Sequence, residues 1–188
     1  MKHKGISPEE TNRRIIASVG RGFRKHGFAG IGVDTLAKSA GVTSGAFYAH
    51  LGSKKAAFET ALINGLDEVL ETIPQLQKEH GTKWLHAFIE FYLSPKHAAD
   101  RECGCALASM TTELPRVGAS ACHIYREKMP VIIKLVASGI ERENERESES
   151  IAWALLALLT GGLNLARGMR DDAAVLAQIK TQAYALIS

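Results

Sequence analysis

Cysteine is scarce in this 188-residue chain: there are three, two of them only two positions apart. Three thiols cannot build a disulfide framework, so the fold must rest on an apolar core, and a reducing, cytoplasmic setting is expected. Long apolar runs are missing too. The longest uncharged stretch, 150–166, contains Thr160, Gly161, Gly162 and Asn164, so no membrane span is expected. The N-terminal charges are followed by no apolar stretch, which argues against a signal peptide. Signatures of catalysis are also absent: no GxSxG, no HExxH, no phosphate loop and no CxxC pair, while Gly30-x-Gly32 lacks a third glycine and follows a helical pattern. Neither an enzyme nor a cofactor is expected. Nor is a metal site, because the Cys103-x-Cys105 spacing is tighter than common zinc-ligand spacings, and Cys122, His97 and His123 are scattered. What is present is ordinary for a globular protein: 46% hydrophobic and 23% charged residues, enough to bury a core in one compact unit or in a small module joined to a larger one.

Charge is unevenly distributed. Residues 1–60 carry ten Lys or Arg against four acids, a net of +6, while the remainder carries thirteen against sixteen. A basic N-terminal third on a mildly acidic remainder suggests a head that binds a polyanion.

The apolar pattern is helical nearly everywhere, and alternating strand-like runs are missing. Ser7-Pro8-Glu9-Glu10 reads as a capped start, with Pro8 at the first helical position and Ile16, Val19, Gly20 and Phe23 along one face up to a stop at Gly27. A short helix from about Val33 to Ala40 ends at Gly41. A third, capped by Thr43, runs to Leu51. A fourth, capped by Ser53, carries Phe58, Leu62, Leu66, Val69, Leu70 and Ile73 at helical spacing and is expected to close at Pro74. Further helices are expected at about 82–93, 105–114, 119–143 (kinked or broken at Pro130), 150–169 and 173–187. The stretches 94–102 and 141–149 read as loops.

Residues 27–56 carry the chemistry. Two short helices flank the tight turn Ser39-Ala40-Gly41-Val42, with small Ala37 where the helices cross and Gly41 free to take positive φ. Phe47 and Leu51 face inward, which leaves Thr43, Ser44, Gly45, Ala46, Tyr48 and His50 on the outer side. Their leading members are small or hydroxylated, so the helix could sit deep in a major groove, with Tyr48, His50 and Lys54 placed to reach the phosphate backbone. The segments Val42-Thr-Ser-Gly-Ala-Phe-Tyr-Ala-His-Leu-Gly-Ser-Lys54 and Gly27–Ala37 resemble the DNA-binding region of the TetR family of bacterial transcriptional regulators. The resemblance covers about Glu9 to Ala61 and implies DNA contacts from Val33, Asp34, Thr43, Ser44, Gly45, Ala46, Tyr48, His50 and Lys54. Three departures bear on it, one being Leu51, which replaces the family's usual aromatic and keeps its apolar role. Gly32 stands where the family often has a hydroxyl cap, and Asp34 puts an acid near a phosphate or base, which argues against direct contact.

The resemblance further implies an all-α protein: an N-terminal helix-turn-helix, three-helix head (residues 1–52) plus a helical ligand-binding and dimerisation body (53–188). Such a protein would be a homodimer that leaves double-stranded operator DNA when a small apolar effector binds, without membrane association. The residues agree in part. Ile151, Leu155, Leu158, Leu159 and Leu163 form one stripe, and Val175, Leu176, Ile179, Ala183 and Leu186 another; they would suit either a four-helix interface between two copies or an internal helix pair. Candidate pocket residues are Trp84, Phe88, Phe91, Tyr92, Met110, Tyr125, Met129 and Ile133, any of which could equally be core packing. The segment Phe91–Ala108 resembles a subgroup in which a Gly-Cys pair opens the central helix. There the helix N-terminus, assisted by Arg101, would lower the thiol pKa of Cys105, and Cys105, with Cys103, would sense oxidants or electrophiles. The alternative for Cys105 is a small buried apolar residue.

Overall fold

The computed structural model describes residues 8–102, 104–170 and 172–188, so the expected Ser7 cap and Cys103 lie outside the described residues. The described residues are helical and contain no strand, as expected. The helices are α1 (Pro8–His26), α2 (Val33–Ser39), α3 (Ser44–Leu51), α4 (Lys54–His80), α5 (Trp84–Tyr92), α6 (Pro95–Ala99), α7 (Ala106–Ser109), α8 (Leu114–Val117), α9 (Ala119–Ala137), α10 (Glu145–Gly168) and α11 (Ala173–Ile187).

The head forms around α1, whose Ile15, Val19 and Phe23 are buried at i, i+4, i+8; Ile15 takes the inward position expected of Ile16, which is only half-buried. Leu36 and Ala37 of α2 and Phe47 and Leu51 of α3 close onto this face. Phe58 from the first turns of α4 completes it, meeting Phe23 edge-on at 5.1 Å and Phe28 at 5.5 Å. Aromatic pairs in this geometry add to the stabilisation from their buried area.

Four expectations are corrected. First, α4 continues through Pro74 for 27 residues. An internal proline loses a hydrogen bond and crowds the preceding turn, at a cost of about 3 kcal/mol. The helix survives because α4 packs along α9, with Ile73 buried and Gln77 Nε2 donating to Ser138 Oγ at 3.0 Å. It ends at Gly81, which takes φ 54°.

Second, the expected loop at 94–102 holds α6. Ser94 Oγ accepts from the His97 N–H at 3.1 Å and Pro95 occupies the first turn, so the Ser-Pro pair acts as a cap followed by a pre-set first helical residue. Third, residues 105–114 are not one helix. α7 stops after four residues, a 3-10 turn follows over Thr111–Glu113, and Pro115 fits the first turn of the new helix α8.

Fourth, the boundaries of the later helices shift. α9 also runs through its proline, Pro130, but ends at Ala137. A Cβ on Gly139 would come within 2.6 Å of the Trp84 ring, so the chain leaves the helix where Trp84 lies on bare backbone. α10 begins inside the charged run, where Asn144 accepts from the Glu147 N–H at 3.0 Å and Glu145 and Glu147 meet the positive end of the helix dipole.

α10 packs against α9 and α11 with Leu155, Leu159 and Leu163 buried. A Cβ on Gly162 would meet Ile179 at 2.6 Å, so Gly162 marks the close crossing of α10 and α11. Among the described residues α10 is the one helix long and apolar enough to cross a membrane by length and composition. Its outer side, including Ala154, Ala157, Gly161 and Leu165, is exposed.

Candidate nucleic-acid interface and body cavity

The turn before α3 is built from two local devices. Gly41 takes φ 72°, which a side chain would resist. Thr43 then caps α3, its Oγ1 accepting the Ala46 N–H at 3.1 Å. α3 anchors itself with buried Phe47 and Leu51 and exposes Thr43, Gly45, Tyr48 and His50, while Ser44 and Ala46 are half-buried. Tyr48 keeps half its surface, 50%, open to solvent. Asp34 has a local role: its Oδ1 accepts from Ser44 Oγ at 2.6 Å, joining the start of α2 to the start of α3. Gly32 caps α2 without a side-chain hydrogen bond, and Val33 is half-buried beside it. Ser53 caps α4, accepting the Ala56 N–H at 3.0 Å, and Lys54 Nζ lies 4.8 Å from the Phe28 ring centroid. That cation–π contact holds the ammonium at the edge of the head. The structure thus gathers Val33, Thr43, Ser44, Gly45, Ala46, Tyr48, His50 and Lys54 around one short, protruding helix.

A cavity of about 150 Å³ lies in the body between α4 and the α5–α7 segment. Gly65, Glu68, Val69 and Thr72 of α4 form one wall; Phe88, Phe91 and Tyr92 of α5 form another; His97, Gly104 and Cys105 complete it. His97 is buried and its tautomer follows from its partners. Nδ1 donates to the Tyr92 carbonyl at 2.7 Å, and Nε2 accepts the Cys105 N–H at 3.2 Å. Burial holds its pKa below the ordinary histidine value, against the opposing bond to Tyr92. The Tyr92 hydroxyl is buried with no hydrogen-bond partner among the described residues, and its polar neighbour is the Cys105 thiol. Burial raises the Tyr92 pKa well above the usual phenol value.

Of the expected pocket residues, Phe88, Phe91, Tyr92 and Cys105 meet at this cavity. Tyr125 and Met129 line a separate hollow of about 200 Å³ with Leu107 and Trp153. Trp84, Met110 and Ile133 are core residues outside both linings. The expected lowering of the Cys105 pKa is reversed. Burial pushes the thiol up, outweighing the Leu107 backbone, the neighbouring Tyr92 hydroxyl and the Ala108 backbone, and the helix it opens is only four residues long. Arg101, expected to assist, is exposed and reaches the Arg167 carbonyl at 3.5 Å. Sequence reasoning missed Gly65, Glu68 and Thr72. They share a helical face with Val69 (i, i+3, i+4, i+7), but two are polar and one has no side chain, so an apolar stripe does not reveal them. Among the described residues no three of His, Cys, Asp and Glu come together as a metal site would require.

Arg24 joins the cavity wall to the head. Arg24 of α1, its side chain only 7% exposed, lies with Nη1 3.8 Å from Glu68 Oε2 and donates through Nε to the Glu102 carbonyl at 2.8 Å. Beside it Lys25 pairs with the Glu102 carboxylate at 2.5 Å. A second tie runs from Glu113, whose Oε2 accepts the Phe28 N–H at 3.3 Å and whose Oε1 pairs with Arg116 at 3.2 Å.

A basic head ending in an exposed, capped helix, carried on a helical body with its own cavity, has the layout of a DNA-binding helix-turn-helix regulator. Residues 16–61 match the family model of the bacterial regulatory proteins, tetR family. The whole fold is similar to solved structures. A TetR-family transcriptional regulator from Agrobacterium tumefaciens shares 15% identity at TM-score 0.81, over 97% of this chain and 100% of that one. A TetR regulator from Legionella pneumophila shares 16% at 0.82, over 99% and 100%. The reduced form of E. coli NemR shares 18% at 0.78, over 95% and 97%. At these identities the structural likeness speaks for the fold alone, and no curated protein sequence matches. The head, residues 16–61, thus matches the tetR-family model, and the chain as a whole shares the fold of solved TetR-family regulators.

Proposed function

We propose that the chain is a homodimeric repressor, with a head of residues 1–52 and a body of 53–188, that binds double-stranded operator DNA and releases it when a small, largely apolar molecule occupies the body cavity. The observation that carries the reading is α3. Its leading residues Thr43, Ser44, Gly45 and Ala46 are small, so the backbone can approach base edges, while Tyr48, His50 and Lys54 flank them toward phosphate and Val33 supports from α2. Two exposed faces support pairing. On α10, Ala154, Ala157, Gly161 and Leu165 are open, and on α11 so are Ala174, Ala177 and Ala185; small side chains there let two copies approach closely. Response to ligand is supported by Glu68, which lines the cavity and faces Arg24 of the head. An occupant that moved Glu68 would alter how α1 is held, and hence the separation of two recognition helices on DNA.

The test is a band shift with the DNA upstream of the protein's own gene at low salt. A shift that weakens steeply as salt rises is expected, through counterion release. No shift at any salt would remove the reading.

A second reading, in which Cys105 senses oxidants or electrophiles, is supported by the thiol's place in the cavity lining and by the likeness to a regulator solved in a reduced form. The raised thiol pKa opposes it. Loss of a peroxide or quinone effect on DNA binding in Cys105→Ser would support it, and an unchanged effect would dismiss it.

A further inference from the structure

The wall of the α4–α5 cavity contains five polar side chains, and three of them are already engaged. His97 uses both ring nitrogens, one toward the Tyr92 carbonyl and one toward the Cys105 N–H. Thr72 Oγ1 donates to the Glu68 carbonyl at 2.6 Å. The Glu68 carboxylate accepts from Asn64 Nδ2 at 2.7 Å and faces Arg24. What remains is the Tyr92 hydroxyl, fully buried and with no well-formed hydrogen bond among the described residues; the Cys105 thiol beside it is only a weak partner. Buried hydroxyls are nearly always paired, so this one marks the place of an absent acceptor. A water is a poor substitute, because it needs two or more polar partners and its one other neighbour here is the weakly bonding Cys105 thiol.

Size and lining narrow the choice. The cavity measures about 150 Å³. An apolar protein cavity of ~150 Å³ accepts benzene, so the space suits one ring. Phe88 and Val69 offer apolar walls, and Phe91, half-exposed and stacked on His97 at 5.1 Å, stands at the rim. Among the described lining residues no unpaired charge faces the interior: burial and the Cys105 N–H on Nε2 disfavour the charged imidazole, and the glutamate has its guanidinium.

We propose that the effector is a neutral, single-ring molecule bearing one hydrogen-bond acceptor, an aryl aldehyde or ketone being the type. Its ring would lie between Phe88, Phe91 and Val69, and its carbonyl oxygen would accept from Tyr92 Oη. This rests on the ligand-responsive reading above and names the chemistry of that site. Binding is non-covalent, so the Cys105 thiol is not consumed.

Acetophenone and ethylbenzene, alike in size but differing in the carbonyl, are the probes, with direct binding measured by calorimetry on the full chain. Acetophenone is expected to bind about tenfold more tightly, the factor that ~1.4 kcal/mol provides. In Tyr92→Phe, which keeps the ring, the preference should fall below about twofold. Equal affinity of the two probes for the wild-type chain would overturn the proposal without recourse to any variant. So would absence of binding by both, or a preference that survives in Tyr92→Phe. The assay contains no DNA, so its failure is separable from that of the regulator reading. Acetophenone binding that left the band shift unchanged would refute the effector role of the cavity and leave its ligand chemistry standing.

Discussion

A tyrosine hydroxyl sealed away from water without a partner weakens the empty protein. Tyr92→Phe removes that group and keeps the ring, so it should stabilise the ligand-free chain by about 1 kcal/mol and raise the midpoint by roughly 2–4 °C. Thermal unfolding without ligand checks this, and a lower midpoint would show that the hydroxyl has a partner after all. His97 makes the opposite kind of statement. Protonating its Nε2 would set a new N–H against the Cys105 N–H, and burial lowers its folded pKa. The unfolded chain, with histidine near ~6.5, then binds the proton first as pH falls. Stability is therefore full above about pH 6.5 and declines below it. Urea midpoints at pH 7.5 and 5.5 should show a drop in the wild type and a smaller one in His97→Gln. An equal drop would place the titration among the other histidines. At this scale the sequence was most readable where one residue serves one local bond, as with Thr43, Ser53 and Gly41. It was least readable at Glu68 and Thr72, whose importance comes from α5 and α6 lying opposite, a long-range fact that no helical period encodes.

Helix ends and crossings show the same division. Thr43→Ala should cost about 1 kcal/mol through the lost cap of α3, and weaken DNA binding beyond that loss because the helix start would no longer be held. Urea unfolding and the band shift measure the two parts separately, and undiminished DNA binding would contradict it. Where α10 and α11 cross, Gly162→Ala puts a methyl 2.6 Å from Ile179 and should destabilise by about 1–3 kcal/mol; an unchanged urea midpoint would mean the crossing opens freely. Prolines misled the sequence reading in both directions. Pro74 sits inside a helix, as Pro130 was expected to, because tertiary packing of α4 on α9 outweighs the lost backbone bond, whereas Ser94-Pro95 opens a helix where a loop was expected. The charged run before residue 150 became helix through the Asn144 cap, a signal present in the sequence but masked by charge density.

The largest scale is set by α4, which contributes Phe58 to the cluster with Phe23 and Phe28 and, further along, Val69 and Ile73 to the packing of the body. The overall class was legible from the turn at Gly41 and the basic N-terminal third, because that constellation is local in sequence. How head and body meet was not, because Arg24, Glu68, Glu102 and Glu113 are ordinary surface charges until the fold brings them together. One long rod therefore serves as a wall for two compartments. A fragment severed after residue 52 would lose the side of its core that Phe58 supplies, and should stay unfolded rather than survive as a detachable reader of DNA. Melting of the intact chain should accordingly register as one cooperative event, with neither compartment autonomous.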